Sequence, residues 1–153
     1  MANTYTQLYI QLVFAVQGRA NLLPKNHKEE LHRYITGIVQ ERNHKMLAIN
    51  CMPDHTHIFI GLKPTQSISD LMRDIKTNSS TFISNKKFVK GKFNWQEGYG
   101  AFSYSRSQIN AVVKYIANQE QHHSTRTFKQ EYLSFLKKFA IEYEEKYLFE
   151  WID

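Results

Sequence analysis

The sequence predicts an α+β chain built as a ferredoxin-like antiparallel sheet with helices on one face. Three observations lead there. Strand-like alternation of apolar residues recurs at 4–16 and 54–62, stripes of helical period lie between and after these stretches, and 153 residues suit a single domain, 1–153. With 42% hydrophobic and 14% aromatic residues, a chain of this length fills a core without disulfides or a structural metal. The one cysteine, Cys51, cannot close an intrachain disulfide. Disordered and disulfide-scaffold classes are therefore excluded.

The elements follow in order. Leu8, Ile10, Leu12, Phe14 and Val16 share one side of residues 4–16 while Tyr5, Gln7, Tyr9 and Gln11 share the other, so a first strand carries one apolar face. Pro24 suits a first helical turn, and Leu31, Tyr34, Ile35, Ile38 and Val39 recur at three and four residues, predicting a helix over 24–42. A second strand spans 44–51. The tetrad Cys51, Met52, Pro53, Asp54 breaks it, and Thr56, Ile58, Ile60 and Leu62 then share one side of 54–62, which makes a hairpin. Ser67 and Asp70 form a capping pattern ahead of the stripe Ile68, Leu71, Met72, Ile75, Ser79, Phe82, Ile83, a second helix through 84. Gly91, Gly98 and Gly100 mark a loop into a strand at 101–105. A third helix starts near Ser107 with Ile109, Val112, Val113 and Ile116 inward, and a fourth follows Thr127, which pairs with Gln130 as a capping box. The order β-α-β-β-α-β is that of a ferredoxin-like sandwich, and it leaves the second sheet face open for binding.

Charge is uneven. Twenty Lys and Arg against fourteen Asp and Glu leave +6, and five of that surplus lie in residues 63–92, where Lys63, Arg73, Lys76, Lys86, Lys87, Lys90 and Lys92 meet Asp70 and Asp74. Phe82, Phe88, Phe93 and Trp95 lie in or beside this segment, a composition suited to a phosphate backbone with unstacked bases. A solvated basic face has the same composition, and charge alone leaves both readings open. Residues 1–18 carry no charge, yet Asn3, Gln7, Gln11 and Gln17 and the lack of a basic start argue against a signal peptide or a membrane span. The expected location is the cytoplasm.

Two spacings can carry chemistry. His55 and His57 flank Thr56, and residues two apart on a strand point the same way, about 6.8 Å apart. They fall opposite Ile58, Ile60 and Leu62, hence on the face expected to be open. Tyr115, Gln119 and His122 differ by four and three, so on a continuous helix they form a row with Cβ atoms about 5–6 Å apart. Taken singly, each pattern is also an ordinary one: polar residues on a solvated strand, or the polar margin of an amphipathic helix.

Together they resemble the single-tyrosine HUH transposases of the insertion sequence 200/605 type, including relatives associated with repetitive extragenic palindromes. The resemblance runs from Tyr9-Ile10-Gln11-Leu12-Val13-Phe14-Ala15-Val16 through Met52-Pro53-Asp54-His55-Thr56-His57-Ile58 and Trp95-Gln96-Glu97-Gly98-Tyr99-Gly100-Ala101-Phe102-Ser103 to Tyr115-Ile116, Asn118-Gln119 and His122-His123. It implies an HUH-type fold, a divalent ion on His55, His57 and Gln119, and Tyr115 as the nucleophile. It also implies cleavage and rejoining of single-stranded DNA at element ends through a 5′-phosphotyrosine with a free 3′-OH, a DNA substrate with a subterminal hairpin, and a homodimer whose active sites are shared between subunits. Two imidazoles and an amide oxygen without a thiolate suit Mg²⁺ or Mn²⁺ with open positions for phosphate oxygens. Thr56 departs from the larger hydrophobic residue usual between the histidines; a β-branched residue still fits a strand, so a smaller core contact and an intact site are expected. Two rivals use part of this set. A non-enzymatic ferredoxin-like RNA- or DNA-binding module has no need of the histidines, and a Zn²⁺ hydrolase leaves Tyr115 unexplained.

Overall fold

A computed structural model describes residues 3–152. Its elements are β1 (Tyr9–Ala15), α1 (Lys28–Glu41), β2 (Lys45–Cys51), β3 (His55–Gly61), α2 (Ile68–Asn85), β4 (Gly100–Tyr104), α3 (Ile109–Ala117), the one-turn α4 (Gln119–His122) and α5 (Phe128–Lys138), joined in places by short 3-10 turns. The strands lie in the order β2-β3-β1-β4, each pair antiparallel. The expected α+β architecture is the observed one. Helix α1 starts later than Pro24 predicts because Pro24 is extended and residues 25–27 form a 3-10 turn first. At α2 the Ser67 hydroxyl accepts the Asp70 N–H at 3.1 Å, the predicted cap.

The alternation of β1 sorts the sheet into two faces. On one, Ile10, Leu12, Phe14 and Val16 join Ile58 and Ile60 of β3 and pack against Leu31, Ile35 and Val39 of α1 and Leu71, Met72 and Ile75 of α2. This is the expected layer. Thr56 is buried on it between Phe14 and Cys51, the smaller core contact anticipated from its size.

The opposite face is not open. Val13, Ala15 and Phe102 pack against Phe128, Tyr132, Phe135 and Leu136 of α5, while Phe59 packs against Val112 and Ile116 of α3. The physical reason is that α3 and α5 carry apolar stripes of their own, and the second sheet face is the surface that can bury them. Helix α5 is tied down further by the C-terminal segment. Gln96 donates to the carbonyls of Val16 and Glu150 at 3.0 and 2.7 Å and accepts the Glu150 N–H at 2.7 Å, which seats Phe149 and Trp151 against Phe128 and Tyr132. No helix among the described residues is long and apolar enough to cross a membrane.

The loop before β4 needs its glycines for two different reasons. Gly98 has φ +83°, a left-handed conformation that side chains resist, whereas a Cβ on Gly100 would meet the Tyr132 hydroxyl at 2.7 Å and the Phe102 ring at 2.9 Å. Gly100→Ala must therefore push α5 away from the sheet. We expect it to destabilise the protein by about 1–3 kcal/mol, read as a lower thermal midpoint, and an unchanged midpoint would mean that α5 is not seated on β4.

Candidate active site

The β1–β3 register sets Val13 beside His57 and Ala15 beside His55, so both histidines project from the face that α3 and α5 cover. Both are fully buried. Their outer ring nitrogens are held: His55 Nδ1 lies 2.7 Å from Asp54 Oδ1, and His57 Nδ1 lies 2.7 Å from Gln11 Oε1. Gln11 is in turn fixed by donating to the Tyr104 hydroxyl at 2.9 Å. Both Nε2 atoms thus point inward, and the Phe128 ring stacks on His55 at 4.0 Å.

Helices α4 and α5 bring the remaining groups. The expected continuous helix through His122 breaks at Asn118, whose φ and ψ of −96° and 22° end α3 before α4 begins. The Tyr115–Gln119–His122 row is consequently altered. His122 stacks on the Tyr115 ring at 4.5 Å, while His123 enters the cluster. Gln119 is fully buried, with Oε1 3.1 Å from the Nε2 atoms of both His55 and His123.

At the centre sits Glu131 of α5, fully buried. Its Oε1 lies 3.0, 3.1 and 3.5 Å from Nε2 of His57, His123 and His55. Its Oε2 accepts from Gln119 Nε2 at 2.9 Å and from the Tyr115 hydroxyl. Tyr115 also accepts from Arg126 Nη2 at 2.8 Å. Ligand atoms of His55, His57, His123 and Glu131 all lie within 4.8 Å of one another.

The charges follow from these contacts. Burial acts to raise the Glu131 carboxyl, but His57, His123 and His55 outweigh it and hold the group far below the usual carboxylate range. For His55, burial is outweighed by Asp54 and Glu131, which raise it to about 9; for His57, burial prevails over Glu131 and lowers it. Burial and Glu131 push the Tyr115 phenol up against the opposing pull of Arg126, so the hydroxyl keeps its proton at neutral pH.

Of the predicted site residues, His55, His57, Tyr115 and Gln119 come together. Tyr115 meets the histidines of its own chain, with ring centroids of Tyr115 and His57 6.2 Å apart. Within this one chain Gln119 and Glu131 join the tyrosine helix to the histidines; the sharing of sites between subunits that the resemblance implies concerns a second chain and is a matter for a mixed-dimer test. Asp54, Gln11, His123, Arg126 and Glu131 belong to the site and were not foreseen.

The basic segment lies apart. Its helix α2 packs on the other sheet face, and the aromatic residues beside it are structural: Phe88, Phe93 and Trp95 are buried in the α1–α2 core, and Phe82 stacks on Tyr34 at 3.9 Å. Burying one such ring contributes about 1.5–3 kcal/mol, no less than the stack on a base that would replace it. Lys76 is also engaged. Its ammonium donates to the carbonyls of Gln96 and Gly98 at 2.8 and 2.6 Å, and burial lowers its pKa to about 8. Arg73 pairs with Asp70 and Lys86 with Glu30, both in exposed geometry that a phosphate can displace, and Lys63, Lys87, Lys90 and Lys92 stay exposed. Beside the cluster itself opens a cleft of about 1020 Å³ lined by Lys25, Asp54, His123, Arg126 and Lys129.

Comparison with known proteins gives the chain relatives. The sequence model of the family described as "Transposase IS200 like" matches residues 4–119. The ISDra2 transposase TnpA of Deinococcus radiodurans is 24% identical over 118 residues, 74% of this chain and 84% of that protein. Among solved structures, a candidate transposase from Deinococcus radiodurans R1 superposes with a TM-score of 0.60 at 22% identity, covering 78% of this chain and 95% of the other. A REP-associated tyrosine transposase bound to a REP hairpin superposes at 0.58 and 17% identity, covering 80% and 73%. At these identities the two structures speak for the fold. The matched span ends before His123, Arg126 and Glu131.

Proposed function

The chain belongs to the IS200-like transposase family, and from that premise we propose that residues 1–153 act as one HUH transposase domain that cleaves and rejoins single-stranded DNA with Tyr115 as nucleophile. The observation that carries the reading is the contact chain from the Tyr115 hydroxyl through Glu131 to the Nε2 atoms of His57 and His123, with Arg126 beside the hydroxyl. The donor set suits a divalent ion, because inward-facing imidazole nitrogens with anchored outer nitrogens are the usual way a protein presents ligands. His55, His57 and Gln119 would hold it. When bound, such an ion would polarise the scissile phosphate and offset the charge that develops on it.

The remaining work falls to the chain. Glu131 Oε2 accepts the Tyr115 hydroxyl and fixes its direction, and Arg126 supplies a guanidinium where a phosphate must approach. Attack forms the Tyr115 Oη–P bond and breaks the P–O3′ bond, leaving a 5′-phosphotyrosine and a 3′-OH. Attack by another 3′-OH reverses the step, so no nucleotide cofactor is needed. The cleft lined by Lys25, Arg126 and Lys129 is the path of the scissile strand. A subterminal hairpin is the DNA partner, by analogy with the REP hairpin bound by the similar structure, and two chains as a homodimer would process two ends. Incubating the protein with a single-stranded hairpin oligonucleotide and Mn²⁺ should give a denaturant-resistant adduct on Tyr115; a nucleic-acid-binding module would shift the DNA without one.

Lys63, Lys86, Lys87, Lys90 and Lys92 are then a second contact, for DNA outside the cleft. Replacing Lys86, Lys87 and Lys90 by Ala should lower DNA affinity and reduce the slope of log affinity against log salt by about 2, as fewer counterions are released. An unchanged slope returns the segment to a solvated face.

A further inference from the structure

We propose that Glu131 and His123, which lie beyond the span matched by the family, are ligands of the divalent ion together with His55 and His57. The proposal rests on the reading of the site as ion-assisted and extends its ligand set.

The argument comes from the outer ring nitrogens. Nδ1 of His55 faces the Asp54 carboxylate, Nδ1 of His57 faces the Gln11 amide oxygen, and Nδ1 of His123 faces the Arg126 carbonyl at 3.0 Å. All three partners are acceptors, so all three Nδ1 atoms carry the proton. In its neutral form each imidazole then presents an Nε2 lone pair inward. There the three lone pairs meet two further acceptors, Glu131 Oε1 at 3.0 to 3.5 Å and Gln119 Oε1, which lies 3.1 Å from the Nε2 atoms of His55 and His123. Five acceptors converging in a buried space repel unless a cation lies between them. Three protons would satisfy the imidazoles, but three imidazolium rings against two carboxylates, Glu131 and Asp54, leave an uncompensated buried charge. One divalent ion satisfies all five.

The same carboxylate divides its work. Oε1 faces the ligand cluster while Oε2 holds the Tyr115 hydroxyl and Gln119 Nε2, so one side chain couples the ion's position to the nucleophile's. Three imidazoles with one carboxylate shift the preference from Mg²⁺, which favours oxygen donors, toward first-row transition ions, which accept nitrogen more readily and of which Mn²⁺ is the paramagnetic probe.

The test is Mn²⁺ titrated into the full chain without DNA, followed by electron spin resonance. Free Mn²⁺ gives the affinity, and electron spin-echo modulation counts the coupled imidazole nitrogens. The expected result is three coupled nitrogens in the wild type and two in His123→Ala, Mn²⁺ bound at least tenfold tighter than Mg²⁺ in competition, and a loss of tenfold or more in Mn²⁺ affinity for Glu131→Asp with an unchanged circular dichroism spectrum. Two nitrogens in the wild type, or no Mn²⁺ binding, overturn the proposal without recourse to any variant; so does a folded Glu131→Asp that binds Mn²⁺ as the wild type does. The functional reading fails separately. Mn²⁺ held by three imidazoles with no DNA adduct overturns the transposase reading and leaves the ligands standing, whereas an adduct in a protein showing two imidazoles does the reverse.

Discussion

Tyr115→Phe abolishes the covalent adduct while leaving the fold and hairpin binding in place. The substitution removes one hydroxyl from a half-buried ring that keeps its packing against His122 and Phe135. Glu131 Oε2 still accepts from Gln119, and Arg126 loses an acceptor at a position that water from the neighbouring cleft can reach. Losing these two hydrogen bonds, to Glu131 and from Arg126, costs about 1–3 kcal/mol, or several degrees in the thermal midpoint for a chain of this size. DNA affinity comes from contacts to phosphates and stays within a few-fold. Adduct yield, in contrast, falls to the detection limit, since no other hydroxyl among the described residues joins the cluster. Tyr104 is the nearest rival: its hydroxyl accepts from Gln11, which holds His57, and burial raises its pKa to about 12. An adduct persisting at wild-type yield in Tyr115→Phe, mapped by peptide sequencing to Tyr104 or Tyr99, moves the nucleophile.

What the sequence made legible was what local pattern encodes. The Ser67–Asp70 cap and the stripe from Ile68 to Ile83 give α2 because the cap and the period are both contained in one stretch of chain. The side to which His55 and His57 point follows from the alternation of one strand. Whether that side is covered does not follow, since the cover comes from α3 and α5, far along the chain. The aromatic residues beside the basic segment misled for the same reason. Phe93 reads equally as a stacking platform or as core until the position of its neighbours is known.

The site shows the same limit more sharply. The row Tyr115, Gln119, His122 assumes an unbroken helix, and the break at Asn118 rotates His123 toward the cluster instead. Glu131 left one trace in the sequence. It lies three residues after Phe128 and four before Phe135, on the inward stripe of α5, and a carboxylate on a buried stripe demands charged or hydrogen-bonded partners. Its partner His57 is 74 residues away, and no spacing rule spans that distance. Asp54 was legible only as part of the turn that breaks the strand; its second role, orienting His55, needs the geometry.

His57→Ala separates cleavage from binding and also decides which subunit owns the site. The substitution removes an inward Nε2 and a partner of Glu131 while leaving the basic surface untouched. Cleavage should fall by about 10²-fold or more, as expected when a group that binds or orients an ion is lost, with hairpin affinity within about threefold of wild type. Excess chelator should reproduce the loss in the wild type. Cleavage undiminished in chelator overturns the ion-assisted reading. The variant then serves in a mixed dimer with Tyr115→Phe, each chain inactive alone. In the structure Tyr115 is bound through Glu131 to the histidines of its own chain, and α4 and α5 contribute Gln119, His123 and Glu131 to that same cluster. Exporting the tyrosine helix would carry Gln119 with it, and a symmetric exchange would remake both contacts to Glu131 from the second chain. If each chain keeps its own tyrosine at cleavage, every mixed dimer holds one site lacking its nucleophile and one lacking its histidine, and co-purified heterodimers form no adduct. Recovery of adduct toward half the wild-type yield would show instead that the tyrosine crosses to the partner before cleavage, because a shared arrangement reunites an intact histidine pair with an intact tyrosine at one of the two sites.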